Sequence, residues 1–214
     1  MAAGPHRVSR SGQSEAVENY AKAIYALQHR GEDSPVTTND LAARLGVSPA
    51  SASGMVKRMA ELELVQHEPY KGVRLTTSGQ RVALEVLRHH RLLELYLHEY
   101  LDVPWDQVHD EAEALEHAIS EDLEARIAAK LGNPTHDPHG DPIPGADLEI
   151  DEADTRSLTA LQPGDTGRFV RVSDADPEKL RYLGARGIAI GDRVEVLARE
   201  PFGGPVTARF GGAE

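Results

Sequence analysis

The stretch that most constrains the fold is "TTNDLAARLGVSPASASGMVKRMAELELV", residues 37–65. It reads as helix, tight turn, helix. Thr38 or Asn39 is placed to cap the first helix. Leu41, Ala42 and Leu45 give its buried face, Gly46 ends it, and Val47 plugs the turn. Ser48 caps the second helix and Pro49 takes its first position, where a missing N–H does no harm. Val56, Met59 and Leu62 bury that second helix. This spacing fits a helix-turn-helix whose second helix enters the major groove of DNA.

The exposed start of that helix carries Ser48, Ala50, Ser51, Ser53 and Gly54, with Lys57 and Arg58 further on. Small and hydroxyl side chains permit close approach and bond phosphates, but read few bases. "VQHEPYKGVRLTTSGQ" follows as two short strands around Lys71-Gly72, with Thr77 or Ser78 opening the next helix. Lys71 and Arg74 then sit on a wing beside the phosphates. A helical hairpin used only for protein contacts is the alternative.

The net charge of −12 over 214 residues argues at first sight against a nucleic-acid partner. Divided at residue 80, the chain is net +1 before the cut and −13 after it. A near-neutral head is thus joined to an acidic body, which is compatible with a DNA-facing head. No apolar run approaches the roughly 18 residues of a membrane span, and the first residues lack the apolar core of a secretory signal. With no cysteine there is no disulfide, thiolate metal site or cysteine nucleophile, which suits a reducing cytoplasm.

Residues 1–14 read as a disordered arm and 15–80 as the winged head. Its first helix carries Val17, Tyr20, Ala21, Ile24, Tyr25 and Leu27 at helical spacing. Residues 81–147 read as a helical body. It has one long helix over 79–101, a break at "DVPW", a second helix from 109 to about 131, and the loop "GNPTHDPHGDPIPGAD". An acidic linker, 148–162, leads to a small Val-rich β module over 163–214, with a short helix near 177–185. The fold class expected is mainly α with a small β domain.

The second body helix carries "HDEAEALEHAIS", residues 109–120, which contains no Lys or Arg. On a wheel of about 100° per residue, Val108, Ala112, Leu115, Ile119, Leu123 and Ile127 form an apolar stripe. His109, Glu113, Glu116, His117 and Ser120 form its shoulder. Glu113 meets Glu116 and His117 at three and four residues, so two carboxylates at the edge of a buried face would repel unless a divalent cation lay between them. His90 and Glu94 form a similar shoulder on the preceding helix. The alternative is a solvated acidic face. Oxygen and imidazole donors without sulfur suit Mn²⁺ or Fe²⁺, although zinc and copper bind most such sites more tightly.

These residues together resemble the metal-dependent repressors of the diphtheria toxin repressor (DtxR) class, and most closely the manganese-responsive MntR type with a third domain. The resemblance runs from "ENYAKAIYAL" through the helix-turn-helix, "RHHRLLELYL" and "VHDEAEALEHAIS" to "HGDPIPG" and the β module. It implies a winged-helix DNA-binding domain, a helical dimerisation and metal domain, and an SH3-like domain related to FeoA. It implies a primary site of Glu113, Glu116 and His117 with Asn19 of the first helix. It implies a second site of His90, Glu94 and His109 with side chains from the third domain, for which Asp174 and Asp176 are the candidates. Iron-responsive members place cysteine where Glu113 stands and methionine where Asn19 stands; the manganese type has Glu and usually Asp. Glu113 therefore favours manganese, while Asn19 departs from both patterns. Against a complete SH3-like barrel, the chain ends early, at "RFGGAE".

The function implied is a cytoplasmic, homodimeric repressor of metal-uptake genes. It would bind a palindromic double-stranded operator and hold two ions per subunit, Mn²⁺ or else Fe²⁺, with Co²⁺ or Zn²⁺ able to substitute. Leu92, Leu93, Leu95, Tyr96, Leu115 and Ile119 exceed what a two-helix body buries, so some should form the subunit contact. No membrane and no small-molecule substrate are expected. A metallo-hydrolase would need an open coordination position and a general base, and HExxH and nucleophile motifs are absent. A repressor sensing an organic ligand would need an apolar pocket in place of the carboxylate shoulder.

Overall fold

The computed structural model describes residues 15–29, 35–68 and 71–211. The arm over 1–14 lies outside them. The chain divides into two compact units, 1–86 and 87–214.

The first unit is a three-helix head with a two-stranded wing. Helix α1 (Glu15–Gln28) buries Val17, Tyr20, Ala21 and Ile24, as their spacing predicts. Helices α2 (Thr38–Leu45) and α3 (Pro49–Glu61) form the helix-turn-helix. The cap of α2 is Thr37, one residue before the expected pair, and its hydroxyl accepts from the Asp40 N–H at 3.1 Å. Gly46 ends α2 at φ 64°, a left-handed conformation that favours glycine. Ser48 caps α3 by accepting from the Ser51 N–H at 3.1 Å.

Two expectations about this core fail. Val47 is 37% exposed and is not part of the buried core, and Leu62, at the C-terminal cap of α3, is 48% exposed. Leu64 and Val65 take the buried place instead, because the chain turns inward one step later. Strands β1 (Val65–Glu68) and β2 (Gly72–Leu75) pair antiparallel with Val65 opposite Leu75. Buried Gln28 accepts from the Leu75 N–H at 3.1 Å and ties the wing to α1.

Helix α4 (Thr77–Leu101) follows. Thr76, not Thr77 or Ser78, performs the cap, accepting from the Gly79 N–H at 3.1 Å. A Cβ at Gly79 would stand 2.0 Å from the Leu64 carbonyl oxygen, so only glycine lets this backbone pass.

In the second unit, the single helix expected over 109–131 is two: α5 (Val108–Leu115) and α6 (Glu121–Lys130). Ser120 is the reason, since its hydroxyl accepts from the Leu123 N–H at 3.3 Å and starts a new helix. The wheel therefore loses its phase after Glu116, and Leu123 is exposed; Leu115, at the end of α5, is exposed as well. The apolar core joins Leu92, Leu93, Ala112, Ile119, Ile127, Ala128 and Ile143, with Leu95 and Tyr96 packed against it. Leu92, Leu93 and Ile119 are thus buried within the subunit and are not free to form a subunit contact.

A charged knot sits beside this core. Arg88 donates to Glu124 at 2.8 Å and to the Pro144 carbonyl at 2.6 Å. The ring of His89 lies between the Glu116 carbonyl, 3.2 Å from Nδ1, and the Glu124 carboxylate, 3.1 Å from Nε2.

The last segment forms a three-stranded antiparallel sheet, β3 (Thr166–Arg168), β4 (Arg193–Arg199) and β5 (Val206–Phe210), in the order β3-β4-β5. Helix α7 (Pro177–Ala185) crosses between β3 and β4. Val172, Leu180, Ile188, Val194 and Val196 are its buried apolar residues.

Candidate metal centre and nucleic-acid interface

The long helix α4 presents His90 and Glu94 one turn apart, and both are buried. Helix α5 brings His109 and Glu113; Glu116 and His117 follow its last turn. The fold draws all of these but His117 into two adjoining groups. In one, ligand atoms of His90, Glu94, His109 and Asp174 all lie within 4.8 Å of one another. In the other, those of His90, Glu113 and Glu116 do. His90 belongs to both.

The distances show how the histidine is shared. Its Nδ1 is 2.5 Å from Glu116 Oε2, and its Nε2 is 3.0 Å from Glu94 Oε1 and 3.2 Å from His109 Nδ1. His117 Nε2 is 3.3 Å from the other Glu116 oxygen. Asp174, from the segment between β3 and α7, reaches His109 Nδ1 at 2.9 Å. Asp176 lies elsewhere: its carboxylate caps α7, accepting from the Glu178 and Lys179 N–H groups. Asn19 lies half-buried on α1 in the first unit, where Glu18 beside it is buried and Glu15 is exposed.

The electrostatics are those of a buried anionic site. Burial alone would raise the Glu94 carboxyl, but hydrogen bonds from His109 and His90 hold it well below the usual carboxylate range. His109 is pushed up to about 10 by its hydrogen bonds to Asp174 and Glu94, against the opposing effect of burial. Asp174 would be raised by burial and is instead held down by His109.

Sequence reasoning missed two donors in the loop after α6. Asp137 and His139 form a fully buried group with Glu94. Burial and the Glu94 charge push the Asp137 carboxyl well above its ordinary value. His139 donates from Nε2 to the Trp105 carbonyl at 2.6 Å, which leaves Nδ1 as a lone pair. That Nδ1 is buried, has no hydrogen-bond partner among the described residues, and lies 3.9 Å from Glu94 Oε2. An orphaned imidazole nitrogen facing a buried carboxylate is what a cation site needs and what an empty polar core would avoid. With oxygen and imidazole donors throughout, the group fits a divalent ion of hard or borderline character. The signal was present as "HDPHGDP", but a loop has no periodicity to say which face its histidines take.

In the head, Ala50, Ser51, Gly54, Lys57 and Arg58 are exposed on α3, and Ser53 is partly covered. The Ser48 and Ser51 hydroxyls lie 2.9 Å apart, so cap formation uses part of their bonding capacity. Lys71 is exposed and pairs with Glu68 at 2.6 Å across the wing's turn; Arg74 is half-buried.

Comparison with known proteins accounts for both ends of this arrangement. Residues 13–73 match the family model for the iron dependent repressor N-terminal DNA binding domain. Residues 76–145 match the iron dependent repressor metal binding and dimerisation domain, and 156–214 a FeoA domain. The diphtheria toxin repressor of Corynebacterium efficiens is 32% identical over 193 residues, covering 86% of this chain and 83% of that protein. The chain belongs to the diphtheria toxin repressor family.

The iron-dependent repressor IdeR of Mycobacterium leprae is 39% identical over 131 residues, which cover 61% of this chain and 56% of that relative's length. A solved manganese-dependent transcriptional repressor in complex with manganese superposes with a TM-score of 0.86 at 48% identity, covering 92% of this chain and 90% of that one. These relatives are metal-dependent transcriptional repressors, and the family is not one of enzymes. No helix of the described residues is long and apolar enough to cross a membrane.

Proposed function

We propose that this chain is a manganese-responsive, DNA-binding repressor of metal-uptake genes. It acts in the cytoplasm as a homodimer on a palindromic operator with half-sites about one helical turn apart. The carrying observation is the sulfur-free donor set around His90, Glu113 and Glu116; the resemblance implies cysteine at the position of Glu113 in iron-responsive members. Glu113, Glu116 and His117, with Asn19 of α1, would hold the primary ion. His90, Glu94, His109 and Asp174, with His139 beside Glu94, would hold the second. Asp176 is better assigned to capping.

A divalent ion held there would supply the positive charge that the stretch 109–120 lacks. The protein's own part is to present imidazoles and carboxylates from α4, α5 and the segment before α7 in one cluster. By reciprocity, an ion that favours the DNA-competent form binds more tightly when DNA is present. Exposed Leu101, Leu115 and Leu123 of the second unit offer apolar surface for a subunit contact. Iron is the second reading, supported by the matching family models and the mycobacterial relative.

Operator binding titrated separately with Mn²⁺, Fe²⁺, Co²⁺ and Zn²⁺ tests the proposal. Half-saturation by Mn²⁺ below that by Fe²⁺, adjusted for the free level of each ion, supports it; the reverse order installs the iron reading. Asn19→Asp should tighten Mn²⁺ binding, since a carboxylate adds charge attraction that an amide lacks. Unchanged affinity would remove Asn19 from the site.

A further inference from the structure

We infer that Glu116 serves both ions: it is a ligand in the primary site and, through His90, a positioning residue for the second. The inference rests on the metal-site reading above and adds a coupling between the sites. Glu116 is fully buried and its two oxygens face opposite ways: Oε1 is 3.3 Å from His117 Nε2, and Oε2 is 2.5 Å from His90 Nδ1. The far nitrogen of the same His90 ring points into the second group, 3.0 Å from Glu94 Oε1 and 3.2 Å from His109 Nδ1.

The chemistry of imidazole makes this arrangement directional. A ring that gives Nε2 to an ion must surrender that proton and keeps the one on Nδ1. The Nδ1–H then donates to Glu116 Oε2, the outer carboxylate that a metal-bound histidine ordinarily has. One carboxylate oxygen is thereby committed to His90, and the other is held toward His117. Filling the second site fixes the orientation of a primary-site ligand before the primary ion arrives. The conformational freedom of a buried glutamate is removed once and benefits both sites, which is positive coupling. The His89 ring, hydrogen-bonded to the Glu116 carbonyl at 3.2 Å, restrains the same residue from its backbone side.

The test is a calorimetric Mn²⁺ titration of the full chain and two variants, Glu116→Gln and Glu113→Gln. Both remove one negative charge from the same group, but it is Glu116 whose carboxylate oxygen lies 2.5 Å from His90 Nδ1. Glu116→Gln should weaken the second site by about ten- to a hundredfold, the usual effect of losing an outer-shell partner, and Glu113→Gln by distinctly less. Equal losses would mean that through-space charge alone links the sites, and the inference falls. If Glu116→Gln fails to fold, nitrogen NMR of histidine in the Zn²⁺-loaded parent chain decides. A protonated, hydrogen-bonded His90 Nδ1 with Nε2 on the metal supports the proposal; a metal-bound or bare Nδ1 overturns it. Two ions bound independently would sink the coupling alone, whereas no Mn²⁺ binding at either site would sink the metal reading itself.

Discussion

The two units bury different things. The head packs an apolar core of some sixteen residues, and its buried polar side chains among the described residues are Glu18 and Gln28. The second unit has a smaller apolar core and buries Arg88, His89, His90, Glu94, Glu116, Glu124, Asp137 and His139. Such a core rests on buried apolar area, which depends far less on pH or on any single bound ion than a charged interior does. The body invests its interior in charged groups that are stable only when matched. What the contrast teaches is a division of labour: the DNA-reading part is built to be constant, and the sensing part is built so that one cation changes its energy.

The largest effect should come from breaking the sensing side alone. His117→Ala should abolish metal-dependent operator binding while the head's own melting is unchanged. Gel shift with and without Mn²⁺ reads the first, and circular dichroism the second. A variant that keeps the parent's metal response would put the primary site elsewhere.

Next comes the charged knot. Glu124→Ala takes from buried Arg88 its carboxylate, leaves His89 with Glu121 at 3.6 Å, and should destabilise the body by about 3–5 kcal/mol in denaturant unfolding. An effect below about 1 kcal/mol would show that water replaces the lost partner. The same group gives the comparison a pH axis. Burial would raise the Glu124 carboxyl, but His89 and Arg88 hold it below its ordinary value. A depressed folded value means stability that is present above the unfolded carboxylate pKa of about 4.3 and lost as pH falls through the folded one. Acid should therefore loosen the body before the head, and equal acid sensitivity of both would erase the distinction.

The smallest effect is expected on the head's surface. Lys57→Ala or Arg58→Ala should weaken binding to all DNA sequences about equally and flatten the salt dependence by roughly one phosphate contact. A changed base preference with an unchanged slope would make these side chains base readers.

Legibility followed the same division. The helix-turn-helix was readable because Leu41, Ala42, Val56 and Met59 repeat at helical spacing and Gly46 and Ser48 mark the turn. Glu113 and Glu116 were readable from carboxylates at the edge of an apolar stripe, and the grouping of His90, Glu94 and His109 came from the family resemblance. The break at 116–120 was not, since helical periodicity continues across it in the sequence and only the Ser120 cap interrupts it. His139 and Asp137 escaped because their burial is decided by tertiary contacts of a loop. Asp174 and Asp176 were indistinguishable by residue type, and the cap of α7 separates them.

The loop 136–142 carries one more implication. Gly140 sits at φ 83°, and a Cβ there would stand 1.9 Å from the Val170 carbonyl, while the Val172 N–H donates to the His139 carbonyl at 2.9 Å. Alignment of the last module with the body is therefore written in part into this short seam, beside the contacts of Asp174 with His109 and of Arg171 with Glu152. The seam has no room for an added side chain at position 140. Among divergent relatives, the module's docking should be recognisable from an "HG" dipeptide even where the linker no longer aligns.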